Sequence, residues 1–191
     1  MTALTIHLKS IVDLTDEQFF QLCQANRDLQ FERTATGELI IMPPTGSETG
    51  NRNGRLTQQL FNWSDQDGSG VAFDSSTGFK LLNGADRSPD AAWIKLDRWN
   101  ALTPTQQERF APICPDFVVE LMSPNDNLET IQAKLQEYIE NGARLGFLIN
   151  RKAHQVEVYR PNQAAEILDN PETVSGEAVL PKFKLQMAAI W

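Results

Sequence analysis

Apolar side chains run almost unbroken from Phe117 to Met122, and the one interruption is the carboxylate of Glu120. Bounded by Cys114-Pro115 and Ser123-Pro124, the run predicts a buried strand over 116–122. Residues 116, 118 and 120 then share one face, and Phe117, Val119 and Leu121 share the other. Downstream, Leu128, Ile131, Leu135, Tyr138 and Ile139 recur with helical spacing, and Gly142 fits the C-terminal cap of that helix. Near the start, Thr15-Asp16-Glu17-Gln18 has the form of a capping box ahead of Phe19, Phe20, Leu22 and Cys23, which predicts a helix over 15–26. Extended patterns at 29–31 and 38–42 flank turn residues 34–37 and predict a hairpin closed by Pro43-Pro44.

Ser47 is placed to cap a second helix that carries Leu56, Leu60 and Trp63 on one stripe and ends near Asp67-Gly68. Extended segments follow at 71–74, 77–82 and 90–95, with the turn-rich Asn83-Gly84-Ala85-Asp86 between the last two. Thr103-Pro104-Thr105-Gln106 predicts a short capped helix that stops before Pro112. Residues 144–150 and 155–160 predict a second hairpin, and the tail from 165 to 191 reads as short edge strands. No repeat or linker breaks the pattern, so residues 1–191 are expected to form a single α/β domain with a mixed sheet.

Composition narrows the function classes. With 191 residues, 41% of them apolar, the chain can build a real core. No apolar run approaches the roughly 20 residues of a membrane span, and the N-terminus lacks a signal-peptide pattern. A soluble, cytoplasmic protein with no membrane partner is expected. Two cysteines, Cys23 and Cys114, read as buried thiols in a reducing compartment. Twenty-five acidic against seventeen basic side chains, a formal charge of −8, argue against broad attraction to a phosphate backbone. A nucleic-acid partner therefore requires a metal or a local basic patch. His7 and His154 have no nucleophile beside them, and Gly46, Gly50 and Gly54 lack the lysine-serine ending of a phosphate loop.

The candidate chemistry lies in carboxylates. A buried Glu120 requires a cation, a donor cluster or a raised pKa, unless it sits at an exposed strand end beside an arginine. Asp116 shares its face, but four residues of strand put the two Cα atoms roughly 13 Å apart, too far to hold one ion together. Asp90, in Arg87-Ser88-Pro89-Asp90, opens an extended segment and faces Glu120 if the two strands are neighbours; read alone it is also an ordinary turn signal. On the helix after Glu120, Lys134 falls about 60° from Ile131, at the border of the buried face, whereas Glu129, Glu137 and Glu140 are expected to point well away. Lys134 either reaches the strand end or snorkels to solvent. Glu48 lies in the first turn of its helix, where the helix dipole alone favours a negative charge and where it is also placed to complete a ring of acids.

Taken together, "GELIIMPPTGSETGNRN", "RSPDAAWI", "CPDFVVELMSP", "YIENGARLGFLIN" and "VEVYR" resemble the Uma2 family of endonucleases, a branch of the PD-(D/E)XK superfamily. The resemblance implies a restriction-endonuclease-like mixed β-sheet flanked by helices. It also implies metal-dependent hydrolysis of nucleic-acid phosphodiester bonds, in DNA above all, with Mg²⁺ or Mn²⁺ as cofactor. Asp90 and Glu120 are implied as metal-binding acids, Glu48 as an additional acid and Lys134 as the catalytic base or charge stabiliser. Met122 stands where the superfamily name calls for lysine, and Thr49 stands where many relatives carry histidine after the first glutamate. Lys80 is a second lysine in the middle of the chain that competes for the role of Lys134. A homodimer is implied only by the task of cutting both strands. The competing expectations are a non-catalytic binding module on the same fold and a hydrolase of small phosphodiesters.

Overall fold

The computed structural model describes residues 3–8 and 11–191. The chain opens with strand β1 (Leu4–Ile6), helix α1 (Asp16–Ala25) and the hairpin β2 (Gln30–Arg33) and β3 (Leu39–Met42). Helix α2 (Ser47–Asp67) leads into β4 (Gly70–Asp74), the two-residue strands β5 (Phe79–Lys80) and β6 (Asp86–Arg87), and β7 (Ala91–Lys95). Short helices α3 (Leu96–Asn100) and α4 (Pro104–Gln107) precede β8 (Phe117–Leu121), α5 (Leu128–Glu140), β9 (Leu145–Asn150) and β10 (Gln155–Tyr159). Strands β11 (Glu166–Asp169), β12 (Thr173–Ser175) and β13 (Lys184–Gln186) close the chain.

Both capping boxes expected from the sequence form, Thr15 with Gln18 and Thr103 with Gln106. The second helix starts differently. Gly46 takes the cap position without a side-chain bond, and Ser47 is the first helical residue. The expected strand at 77–82 is cut to two residues because Leu81–Asp86 turn back on themselves, with the Leu81 N–H donating to the Ala85 carbonyl, so β5 pairs with β6 instead of continuing. Cys114 is buried as expected, but Cys23 is only half-buried.

Among the described residues the principal sheet is mixed, ordered β11-β10-β9-β8-β7-β4, with β8 and β9 its one parallel pair. A second, antiparallel sheet runs β1-β3-β2-β6-β5. The alternation along β8 divides the molecule. Phe117, Val119 and Leu121 pack with Leu56 and Leu60 of α2, and Val118 packs with Leu135 and Tyr138 of α5. Gly146 lets α5 lie close on the sheet, because a Cβ there would stand 2.8 Å from Leu135 Cδ1. The C-terminal tail is more than a set of edges: Val174, Leu180, Phe183, Leu185 and Met187 are buried in the α2-side core. Gln59 of α2 exchanges two hydrogen bonds with the Gln186 backbone, which fastens the tail to that helix.

Candidate active site

The site forms where β7 and β8 end together. Their antiparallel register pairs Ala91 with Val119, and Pro89, which has no N–H to give, breaks the ladder just beyond. Asp90 Oδ2 accepts the Leu121 N–H at 2.7 Å, so a carboxylate takes the place of a ladder carbonyl and is fixed beside Glu120. Asp90 Oδ1 accepts from Asn53 Nδ2 of α2 at 2.9 Å. Glu120 is buried on the α5 side of the sheet, as the alternation along the strand requires.

Helix α5 is oriented by the tight turn Ser123–Asp126 and by the Asn127 cap, and it buries Leu135 and Tyr138 against the sheet. Lys134, next to Leu135, is thereby carried inward. Its Nζ lies 2.8 Å from Glu120 Oε1 and 2.8 Å from Glu32 Oε1, and it donates to the Ser88 carbonyl at 3.3 Å. Lys134 is the only cation paired with Glu120 among the described residues. Asn53 Oδ1 is a buried acceptor without a donor, on the residue that braces Asp90.

Glu32, on β2 of the second sheet, was not legible as a site residue. It is 3% exposed and receives Lys134, Arg87 Nη1 at 3.0 Å and the Ser88 N–H at 2.9 Å. Arg87 reaches Glu137 Oε2 at 2.6 Å as well. Glu137 therefore faces this cluster through Arg87, contrary to the expectation that it points away. It lies one helical turn beyond Lys134, on the same side of α5, and Arg87 gives it an inward partner. The sequence signal for Glu32 was the pair of adjacent charges, Glu32-Arg33, inside a hairpin strand. Successive strand residues face opposite ways, so both are buried only when both faces are covered, and only the folded chain supplies that cover.

Burial disfavours ionisation of Glu32, but Lys134 and Arg87 outweigh it and hold the carboxyl below its ordinary range. Glu120 shares Lys134 and has no arginine; burial pushes it up to about 8, with Asp90 and Glu32 adding repulsion against the pull of Lys134. Asp90 is also raised, first by burial, against the Leu121 N–H. For Lys134, burial opposes the charge while Glu120 and Glu32 reinforce it, and the net direction is upward. The lysine stays an ammonium at any physiological pH.

These groups line a cavity of about 1100 Å³, together with Glu32, Arg87 and Glu48. Glu48 sits at its rim, 68% exposed, and its Oε1 is held by Arg151 Nη2 at 2.7 Å and Arg52 Nη2 at 3.0 Å. No three His, Cys, Asp or Glu side chains converge as a metal-binding group among the described residues. What the fold brings together is a pair of carboxylates, Asp90 and Glu120, beside the Lys134 ammonium. That pair fits a hard divalent cation, which takes one or two carboxylates and keeps several waters. Lys80 is elsewhere, paired with Asp16 at 2.6 Å and bonded to the Gly84 carbonyl at 2.9 Å. Asp116 is a structural acid that accepts from the Lys95 N–H and pairs with Arg98 at 2.8 Å.

The chain is thus an α/β protein with a mixed sheet flanked by helices, with Asp90 and Glu120 at neighbouring strand ends. The pattern described as "Uma2: Putative restriction endonuclease" matches residues 16–188, and the chain belongs to that family. No curated protein matches the chain significantly in sequence. Among solved structures it is similar to a crystal structure titled as "a putative nuclease belonging to DUF820" from Anabaena variabilis ATCC 29413. The TM-score is 0.77 at 18% identity, over 93% of this chain and 97% of that one, a likeness of fold. No helix among the described residues is long and apolar enough to cross a membrane.

Proposed function

We propose that the protein is a metal-dependent endonuclease that hydrolyses phosphodiester bonds of DNA, with Asp90 and Glu120 holding Mg²⁺ or Mn²⁺. The observation that carries this reading is the convergence of Asp90, Glu120 and Lys134 at the shared end of β7 and β8, inside a cavity of about 1100 Å³. The bound cation supplies polarisation of a phosphate oxygen and a lowered pKa for an attacking water. Asn53 and the Leu121 N–H fix the direction of Asp90. Lys134, permanently protonated between two carboxylates, stabilises negative charge developing on the phosphate and orients the water; its charge leaves it no part as a base. Glu32 acts through Lys134 as a positioning residue, with Arg87 and the Ser88 N–H holding it in turn. Cutting both strands of a duplex requires two such centres, which a symmetric homodimer brings together.

The test is relaxation of supercoiled plasmid with Mg²⁺ or Mn²⁺. Nicking that requires the metal and drops at least about 100-fold in folded Asp90→Asn and Glu120→Gln variants supports the reading. Nicking that survives Asp90→Asn refutes the site. Metal stabilisation of the fold without any turnover identifies a binding module in place of an enzyme.

A further inference from the structure

Two arginines share a single exposed carboxylate, that of Glu48 at the rim of the cavity. Arg52 of α2 and Arg151, just after β9, are 24% and 16% exposed in their side chains, and both direct Nη2 at the same Glu48 oxygen. The Nε atoms of both are buried without a partner. Each guanidinium presents a rigid fork suited to two oxygens of one anion, and here two forks meet on one atom of a carboxylate. Donors are thus in excess of what Glu48 accepts.

The place is fixed by the fold. Strands β8 and β9 are parallel, with Leu121 beside Ile149, so Arg151 emerges at the same sheet end as Glu120. Asn53, the neighbour of Arg52 on α2, braces Asp90. The cationic pair therefore sits on the elements that carry and brace the acids that would hold the metal, and through Glu48 it brings positive charge next to the cavity of a chain whose overall charge is −8.

We propose that Arg52 and Arg151 form a subsite for a backbone phosphate adjacent to the scissile one, and that Glu48 is its resident occupant, displaced when nucleic acid binds. A phosphodiester offers two unesterified oxygens to two forks and satisfies the donors that one carboxylate oxygen leaves over. Glu48, exposed and in the first turn of α2, swings out without disturbing the core. The subsite rests on the nuclease reading, and it makes Glu48 a competitor of the substrate instead of a ligand of the metal.

The experiment is fluorescence anisotropy of a labelled duplex oligonucleotide in EDTA, where nothing is cleaved. Glu48→Gln is expected to tighten binding on the order of fivefold. Arg52→Met/Arg151→Met is expected to weaken it and to make the salt dependence shallower by about 1 to 2 in log–log slope. The gain from Glu48→Gln should vanish in the double-arginine variant. A gain that persists there reflects overall charge alone and overturns the subsite, as does unchanged or weaker binding by Glu48→Gln itself. If Arg52→Met/Arg151→Met does not fold, Arg52→Lys/Arg151→Lys replaces it, keeping charge but losing the fork. A wild-type protein that binds and nicks DNA while Glu48→Gln binds no tighter loses only the subsite. A protein that neither binds nor nicks DNA loses both readings.

Discussion

Replacing Lys134 by methionine keeps most of the stem and deletes a charge that stands 2.8 Å from Glu32 and 2.8 Å from Glu120. At an effective dielectric near 20, each contact carries about 6 kcal/mol of Coulomb energy. Most of that offsets the removal of the lysine and both acids from water, and loss of one partner from such a buried cluster costs about 3–5 kcal/mol net. The cost depends on pH. Glu32 keeps Arg87, but Glu120 is left without a cation and holds its proton to still higher pH. In the wild-type protein the Glu120 carboxyl is already pushed from 4.5 up to about 8, so between those values the folded state holds a proton that the unfolded state has released. Its contribution to stability is fully present at low pH and is lost as pH rises through that window. Without Lys134 the window extends higher, and the deficit widens from pH 5.5 to pH 8.5. Urea unfolding followed by tryptophan fluorescence in EDTA measures this for wild type, Lys134→Met, Glu120→Gln and the double variant. Lys134→Met should cost about 1 kcal/mol less at pH 5.5 than at pH 8.5, and less again in the Glu120→Gln background. An equal cost at both pH values and in both backgrounds refutes the seating of the ammonium between the two carboxylates.

Two further outcomes follow from the same geometry. Because Glu120 must lose its proton to serve a cation, Mg²⁺ at a hundredfold excess over its dissociation constant at pH 8.5 should stabilise the fold there by about 2.7 kcal/mol, and the same concentration should raise the melting temperature less at pH 6; Asp90→Asn should abolish the shift, and an equal shift at both pH values would count against Glu120 as a ligand. Lys80→Met, which removes a pair with the exposed Asp16 and a longer one with the buried Asp86, should leave plasmid nicking unchanged and cost about 1–2 kcal/mol by urea titration; loss of nicking with the fold intact would return the catalytic role to Lys80.

The local elements were written in local chemistry. The two capping boxes, the apolar run of β8, the helical spacing of α5 and the turns of the hairpins depend on residues within a few positions of one another, and the sequence displays such neighbours directly. Alternation along β8 also placed Glu120 on the same side as Val118, and helical angle put Lys134 at the border of the buried face. The tertiary structure decided what those placements meet. Asp90 faces Glu120 only because β7 and β8 are neighbours in the sheet, and Lys134 turns inward only because Gly146 admits α5 close to β9 and Glu32 arrives from a second sheet. Glu32, Arg87 and Glu137 gave no sequence signal strong enough to join them, since a charge on a strand or helix reads as solvated until another element covers it. Glu48 was visible as an acid at a helix start, but its two arginines come from positions four and 103 residues away, and the longer of these separations is invisible to any local pattern. Local propensity is set by short-range sterics and hydrogen bonds; burial and charge pairing are properties of the packed chain, and the site is made of the latter.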